Sequence, residues 1–318
     1  MKTKIVEAIN RSHSVLLTAH YSPDGDNIGS QLALYFALKR LGKEVEMINA
    51  DPVPGRYSFL PGADRFRVSR KIDRDYDIMF VLDCGEIERL GGLTAERAGF
   101  LINIDHHQGC GDFADITWCR ESACATGELI YELLLELGAE IDKDIAVCLY
   151  VSIATDTGFF RFANTNARTM TIASDLLARG ADAGKISELI YEREPVARFR
   201  LLGKMLEKME LVCGNKVAVM TAALEDFRNT GASQEDTDGF SNYPKSIQGV
   251  EIGIIFQEIE PGIVKISMRS KGKVNVAALA REFGGGGHIR AAGFRTKESL
   301  DEIKPKLYKA LVKKLTKP

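Results

Sequence analysis

Histidine is scarce in this sequence: five residues among 318, beside 42 Lys and Arg and 44 Asp and Glu. Other absences narrow the field. No apolar run reaches the ~18 residues of a membrane-spanning helix, which excludes a helical integral membrane protein. The opening stretch MKTKIVEAINRSHS is amphipathic and has no apolar core of the secretory-signal kind, so the expected location is the cytoplasm, with no membrane association. An excess of charge is missing too, since the formal balance is −2. Proteins that grip long nucleic acid through many phosphate contacts are usually basic, so no stable complex with long nucleic acid is expected. A local patch for a small anion stays open. None of the six cysteines (Cys84, Cys110, Cys119, Cys124, Cys148, Cys213) forms a C-x-x-C pair. A chain of this length without a secretion signal does not call for a disulfide framework, and buried, reduced thiols are the expectation. With 45% apolar and 27% charged residues, 318 residues suggest about two globular domains, each able to bury a core.

What is there alternates between two periods. Residues 2–13 read as a helix with Ile5, Val6 and Ile9 on one face, followed by the short apolar run Val15–Ala19 of a buried parallel strand. A helix from Gly25 to about Gly42, strands at 45–49, 78–82 and 100–104, and helices at 122–137, 143–154 and 167–179 complete the pattern. Alternation of this kind predicts an α/β domain with a largely parallel sheet flanked by helices. The charged helical stretch 185–211, broken at Pro195, reads as a connector. Strands at 217–221, 250–257 and 263–268, with helices near 275–283 and at the C-terminus, give a smaller, mixed second domain. The expected division is 1–184, 185–211 and 212–318.

Three of the strands run into metal-binding residue types. VLLTA leads to His20, Asp24 and Asp26 in HYSPDGD; IMFVL leads to Asp83; LINI leads to Asp105, His106 and His107. Sites in open α/β sheets form beyond the carboxyl ends of the strands, so these groups converge without further tuning. Asp156, in TDTG after the helix at 143–154, closes the set. An Asp-Gly-Asp alone is a turn, and a strand-end Asp alone is a helix cap. Five aspartates aimed at one crevice would instead repel one another, and divalent cations remove that conflict. Oxygen ligands mixed with imidazole suit Mn²⁺, with Mg²⁺ or another divalent ion as substitutes, and so many donors suit two ions with Asp83 between them. Two ions about 4 Å apart can generate hydroxide for in-line attack on phosphorus.

A second signal is the run Gly284–Gly287 followed by His288. Read as a loop rather than a linker, its backbone N–H groups can approach an anion closely. The window 261–295 holds Lys265, Arg269, Lys271, Lys273, Arg281, Arg290 and Arg295 against the single acid Glu282. A phosphate- or nucleotide-binding patch is the expectation, with Arg269 and His288 favoured within it.

HYSPDGD, VLDCG, Asp105-His106-His107 and TDTG resemble, in order and spacing, the motifs of the DHH phosphoesterase superfamily. GGGGH preceded by SMRSKGKVNVAALAREF resembles its DHHA1 domain. Together they cover nearly the whole chain, which looks like the stand-alone bacterial nano-RNase and pAp-phosphatase subfamily. The resemblance implies an α/β DHH domain, a smaller α/β DHHA1 domain and an active site in the cleft between them. It implies Mn²⁺ as two ions, one held by His20, Asp24 and Asp83, the other by Asp26, the bridging Asp83, His106 and Asp156. His107 would lie near the phosphate and Asp105 would orient the histidines, the choice of His106 or His107 as direct ligand staying open. Asp83, Asp105 and His107 would thus be the catalytic set; Gly285, Gly286, Gly287, His288 and Arg269 would bind the nucleotide. The implied activity is hydrolysis of short single-stranded RNA to mononucleotides and of 3′-phosphoadenosine 5′-phosphate (pAp) to AMP. A phosphodiesterase of linear dinucleotides such as pApA and a non-catalytic nucleotide sensor on the same fold are the alternatives. A homodimer is implied by the family alone.

Overall fold

Helix α1 (Lys2–Arg11) buries Ile5 and Ile9, and the chain then enters strand β1 (Ser14–Ala19), whose last five residues are buried. In the computed structural model, residues 1–107 and 109–315 are described. They separate into two units, the first ending at Arg193 and the second starting at Glu194.

In the first unit β1 is followed by α2 (Gly25–Arg40), β2 (Glu44–Asn49), β3 (Phe66–Val68), β4 (Ile78–Leu82), β5 (Leu101–Asp105) and β6 (Ile116–Cys119). Helices α3 (Thr126–Glu136), α4 (Lys143–Asp156), α5 (Ala167–Ala178) and α6 (Ala183–Tyr191) come next. The six strands pair in the order β3-β2-β1-β4-β5-β6, all parallel. The order reverses direction between β1 and β4, the switch point at which open α/β sheets leave a crevice for ligands. Strands β4 and β5 are buried at every residue, as the apolar run IMFVL and the run LINI, broken only by Asn103, suit central parallel strands. One face packs Leu17, Phe80, Leu82 and Ile104 against the helices, while the other packs Leu16, Met79 and Val81 with Leu90 and Leu93.

The strands at 116–119 and 66–68 carry too few residues to stand out from the sequence, and both are edge strands. The helix expected at 122–137 starts only at Thr126, where the N–H groups of its first turn meet Asp26 of α2. Helix α2 lies so close to α4 that a Cβ on Gly29 would come within 2.4 Å of the Cys148 carbonyl oxygen. Gly29→Ala is therefore expected to cost about 2–3 kcal/mol through overpacking, read as a lowered melting temperature; an unchanged one would mean that the two helices can part freely.

The second unit runs α7 (Val196–Glu207), β7 (Glu210–Val212), β8 (Val217–Ala222), α8 (Leu224–Thr230), α9 (Asn242–Ser246), β9 (Ile252–Glu260) and β10 (Ile263–Ser270). It closes with α10 (Val276–Arg281), β11 (Gly286–His288), β12 (Ala291–Thr296) and α11 (Leu300–Leu315). Its sheet has the order β11-β12-β10-β9-β8-β7, antiparallel except for the β8–β9 pair. Helices α10 and α11 cover one face through Val276, Leu279, Ile303 and Leu307. The stretch 185–211 breaks at Pro195 into α6 and α7, as its sequence predicts. Each half packs into its own unit: Ile186 and Ile190 join the first core, Leu201 and Met205 pack with Met220 and Phe240 of the second.

The glycine run is not the loop it was expected to be. Gly286 and Gly287 belong to β11, paired with Gly293 and Ala292 of β12. A Cβ on Gly285 would meet the Gly293 carbonyl oxygen at 2.2 Å, and one on Gly287 the Ala291 oxygen at 2.5 Å. Close strand approach is thus sufficient reason for glycine at both positions.

Candidate metal centre

The chain brings His20, Asp24, Asp26, Asp83, Asp105, His106, His107 and Asp156 to the carboxyl ends of β1, β4 and β5 and to the facing ends of α2 and α4. His20 follows β1, its Nδ1 lying 2.7 Å from the Tyr21 carbonyl oxygen and its Nε2 3.4 Å from Asp83 Oδ2. Asp24 caps α2, its Oδ1 accepting the Asn27 N–H at 3.0 Å. Asp26, in the first turn of α2, is buried and accepts the backbone N–H groups of Thr126 (2.7 Å) and Gly127 (3.1 Å). It thereby caps α3 from another helix, since Ala125 at the start of α3 has no side chain to do so. Hydroxyls of Ser30 and Ser152 donate to the same carboxylate.

Asp83 follows β4 with φ +54°, a left-handed conformation that a non-glycine residue adopts at a cost. Its N–H is held by the Ile104 carbonyl at 3.0 Å, and its Oδ1 accepts from the Thr126 hydroxyl at 3.2 Å. Asp156, the last residue of α4, accepts from Asn164 Nδ2 at 3.2 Å. The two histidines of the β5 end differ in their company. His106 presents Nε2 at 3.6 Å from Asp26, 3.7 Å from Asp83 and 3.7 Å from Asp156. Nδ1 of His107 lies 2.6 Å from Asp105 Oδ1, which also accepts the His106 and His107 backbone N–H groups at 2.7 and 3.2 Å.

Ligand atoms within 4.8 Å of one another define three groups: His20, Asp24 and Asp83; Asp26, His106 and Asp156; Asp83, His106 and His107. Burial, with the charges of Asp26, Asp24, Asp105 and Asp156, pushes the Asp83 carboxyl well above its ordinary range. Burial and the charges of Asp26 and Asp24 do the same to Asp156. The His20 imidazole is pulled below its usual value by burial, against the opposing charge of Asp24, and so favours the neutral form a metal requires. Burial works to raise Asp105 as well, yet the hydrogen bonds and charge of His107 hold it below the usual carboxylate range. Crowded carboxylates with one or two imidazoles per group fit hard or borderline divalent cations, whose charge would relieve the repulsion.

One expectation about the cysteines is corrected. Cys110 and Cys119 form a disulfide, their Cα atoms 6.4 Å apart. The pairing of β5 with β6 sets Cys119 directly opposite Asp105, so the loop returning past His107 brings Cys110 against it. That register could not be read from a spacing of nine residues. Cys84, Cys124 and Cys148 are buried free thiols as expected, burial pushing Cys84 up to about 11.

Thr126, Ser30, Ser152 and Asn164 were not singled out from the sequence; common hydroxyl and amide residues carry no signal until the helices assemble. Arg168, in the first turn of α5, lies 3.2 Å from Glu128 and also pairs with Glu132. The nucleotide-binding candidates belong to the second unit. Arg269 lies on β10 and Gly285 beside β11, with Gly286, Gly287 and His288 in that strand; the His288 side chain lies outside the described residues.

The family description "DHH family, N-terminal domain" matches residues 14–153, and "DHHA1 domain" matches residues 214–315. A protein of Thermus thermophilus named bifunctional oligoribonuclease and PAP phosphatase NrnA is 35% identical over 95% of this chain and 90% of its own. One of the same name from Bacillus subtilis is 28% identical over 92% of each. Among solved structures, an exopolyphosphatase-related protein of Bacteroides fragilis superposes with a TM-score of 0.92 at 29% identity, covering 98% of this chain and 95% of that one.

Proposed function

The chain belongs to the DHH family, with a DHHA1 domain after its DHH domain, and from that premise we propose that it is a divalent-metal-dependent phosphohydrolase of short oligoribonucleotides and of pAp. The observation that carries this reading is the end-to-end similarity to two relatives named for both activities, joined to a donor set that suits divalent cations. His20, Asp24 and Asp83 would hold one Mn²⁺; Asp26, His106 and Asp156 would hold a second, with Asp83 shared. Bound cations would supply an acidified water as nucleophile and neutralise charge on the phosphoryl oxygens.

The chain's own groups do the positioning. His106 is the direct ligand in this reading, because its Nε2 faces three carboxylates while its Nδ1 lies 3.3 Å from the Ala123 carbonyl oxygen. Asp105 keeps the His107 proton on Nδ1 and so fixes the ring that meets the phosphate. Asp26 is rigid through its hydrogen bonds to α3, and Asp83 is fixed by the Ile104 carbonyl and the Thr126 hydroxyl. Arg269, His288 and the glycine strand would hold the nucleotide.

The test is a comparison of initial rates with Mn²⁺ on pAp, pApA, a 5-mer RNA, a 24-mer RNA and pyrophosphate. AMP from pAp and mononucleotides from the 5-mer, with little from the 24-mer, is expected. Preference for pApA, pyrophosphate or the 24-mer would overturn the substrate assignment, and no hydrolysis of any of them would leave a nucleotide sensor.

A further inference from the structure

The face of the second sheet turned away from α10 and α11 carries an unusual row of side chains. Along β10 the buried residues Val264, Ile266 and Met268 alternate with half-exposed Lys265, Ser267 and Arg269. Register places Gln257 of β9 and Arg295 of β12 on either side of Lys265. Ile255 and Gly293 flank Ser267, and Gly253 and Ala291 flank Arg269. Two cationic rows are thus separated by a row with a low floor of Ser267 and Gly293.

The row Gln257–Lys265–Arg295 leaves donors unanswered. Among the described residues no ion pair involves Lys265, Arg269 or Arg295. Burial and the charges of Arg295 and Arg269 hold the Lys265 amine below its ordinary value, opposed by Asp238. Gln257 is only 3% exposed. Its Oε1 accepts from the Thr237 hydroxyl at 3.2 Å, whereas its Nε2 has no acceptor. A buried amide donor without a partner costs about 1–3 kcal/mol, and the two adjacent cations repel each other, a repulsion that the charge of Asp238 only opposes. A single anion on this row would answer all three groups, with hydrogen bonds from the amide, the ammonium and the guanidinium.

We propose that Gln257, Lys265 and Arg295 form an anion subsite for a phosphodiester of the oligonucleotide chain, separate from the row of Arg269. The proposal rests on the hydrolase reading above and deepens it to chain length. Four residues of β10 separate the rows, about 13 Å at ~3.3 Å per residue. A nucleotide bisphosphate engaging one row leaves the other empty, while an oligonucleotide of several residues carries phosphates to both. The second row thereby favours short RNA over pAp.

The experiment measures binding of a fluorescein-labelled 5-mer RNA to the full chain by anisotropy, in EDTA so that nothing is hydrolysed, with pAp as competitor. In the double variant Lys265→Ala/Arg295→Ala the 5-mer Kd is expected to rise about tenfold, and the slope of log Kd against log salt to fall by about 1. Gln257→Glu, which keeps the acceptor and puts a carboxylate where the donor was, should weaken the 5-mer at least fivefold. With Mn²⁺, the ratio of kcat/KM for the 5-mer over pAp should fall about tenfold in the double variant. A 5-mer Kd within twofold of wild type in the double variant overturns the proposal. So does an equal loss of pAp and 5-mer, which would assign these residues to the Arg269 row. If Gln257→Glu fails to fold, the double variant, whose two side chains are half-exposed or exposed, carries the test alone. Should the wild type hydrolyse neither substrate yet bind the 5-mer through these residues, the hydrolase reading falls and the subsite stands.

Discussion

Asp83→Ala should abolish AMP formation from pAp and mononucleotide release from the 5-mer, by roughly 10³-fold or more in kcat, the scale of removing one member of a set that acts as a unit. The reason lies in the position of Asp83 between donor groups. It belongs with His20 and Asp24 on one side and with His106 and His107 on the other, so its loss disables both. Metal content of the purified variant, measured by elemental analysis, should fall with the activity. Circular dichroism should stay that of the wild type, because the strands on either side of β4 are held by backbone pairing that the side chain does not touch. A variant within tenfold of wild-type kcat would sink the assignment of Asp83 as shared ligand, whatever its metal content.

How much of this was legible in the sequence follows from what each signal depends on. The strands β1, β4 and β5 are short, mainly apolar runs, interrupted only by residues such as Thr18 and Asn103, and a run of that kind has few structures other than a buried parallel strand. His20, Asp83 and Asp105 to His107 follow those runs directly, so their convergence needed only the rule that sites lie beyond the carboxyl ends. The start of α3 was misplaced because its capping group is Asp26, a hundred residues earlier in the chain. No local pattern encodes a cap supplied in this way. The disulfide escaped for a similar reason: Cys110 and Cys119 meet through the β5–β6 register, and β6 is a four-residue edge strand with a weak signal. The glycine run predicts a loop because Gly-rich composition favours one. The neighbouring AAGF segment turned it into a strand by offering a partner backbone at a distance only glycine tolerates.

Two aspartates proposed as ligands should have opposite effects on stability. Asp26 accepts two backbone N–H groups and two hydroxyls, all buried. Asp26→Ala would orphan the first turn of α3 and is expected to cost about 3 kcal/mol, combining a lost cap with unsatisfied donors. For a unit of this size that is a fall in melting temperature of roughly 6–12 °C. Asp83 makes one side-chain hydrogen bond, from Thr126, and otherwise faces His20, His106 and His107 amid other carboxylates. Asp83→Asn keeps an oxygen for the Thr126 hydroxyl and removes a carboxyl whose ionisation is opposed by burial and by the neighbouring aspartates. In EDTA this variant should therefore melt above the wild type, by on the order of 1–2 kcal/mol. Added Mn²⁺ should then raise the wild type by about 2.7 kcal/mol at a hundredfold excess over its Kd, and the variant by much less. The order of the two melting temperatures would reverse. Thermal unfolding of both proteins, with chelator and with metal, checks this in one series. If the wild type is the more stable under both conditions, the carboxylates are already compensated within the protein, and the repulsion from which the need for cations is argued is absent.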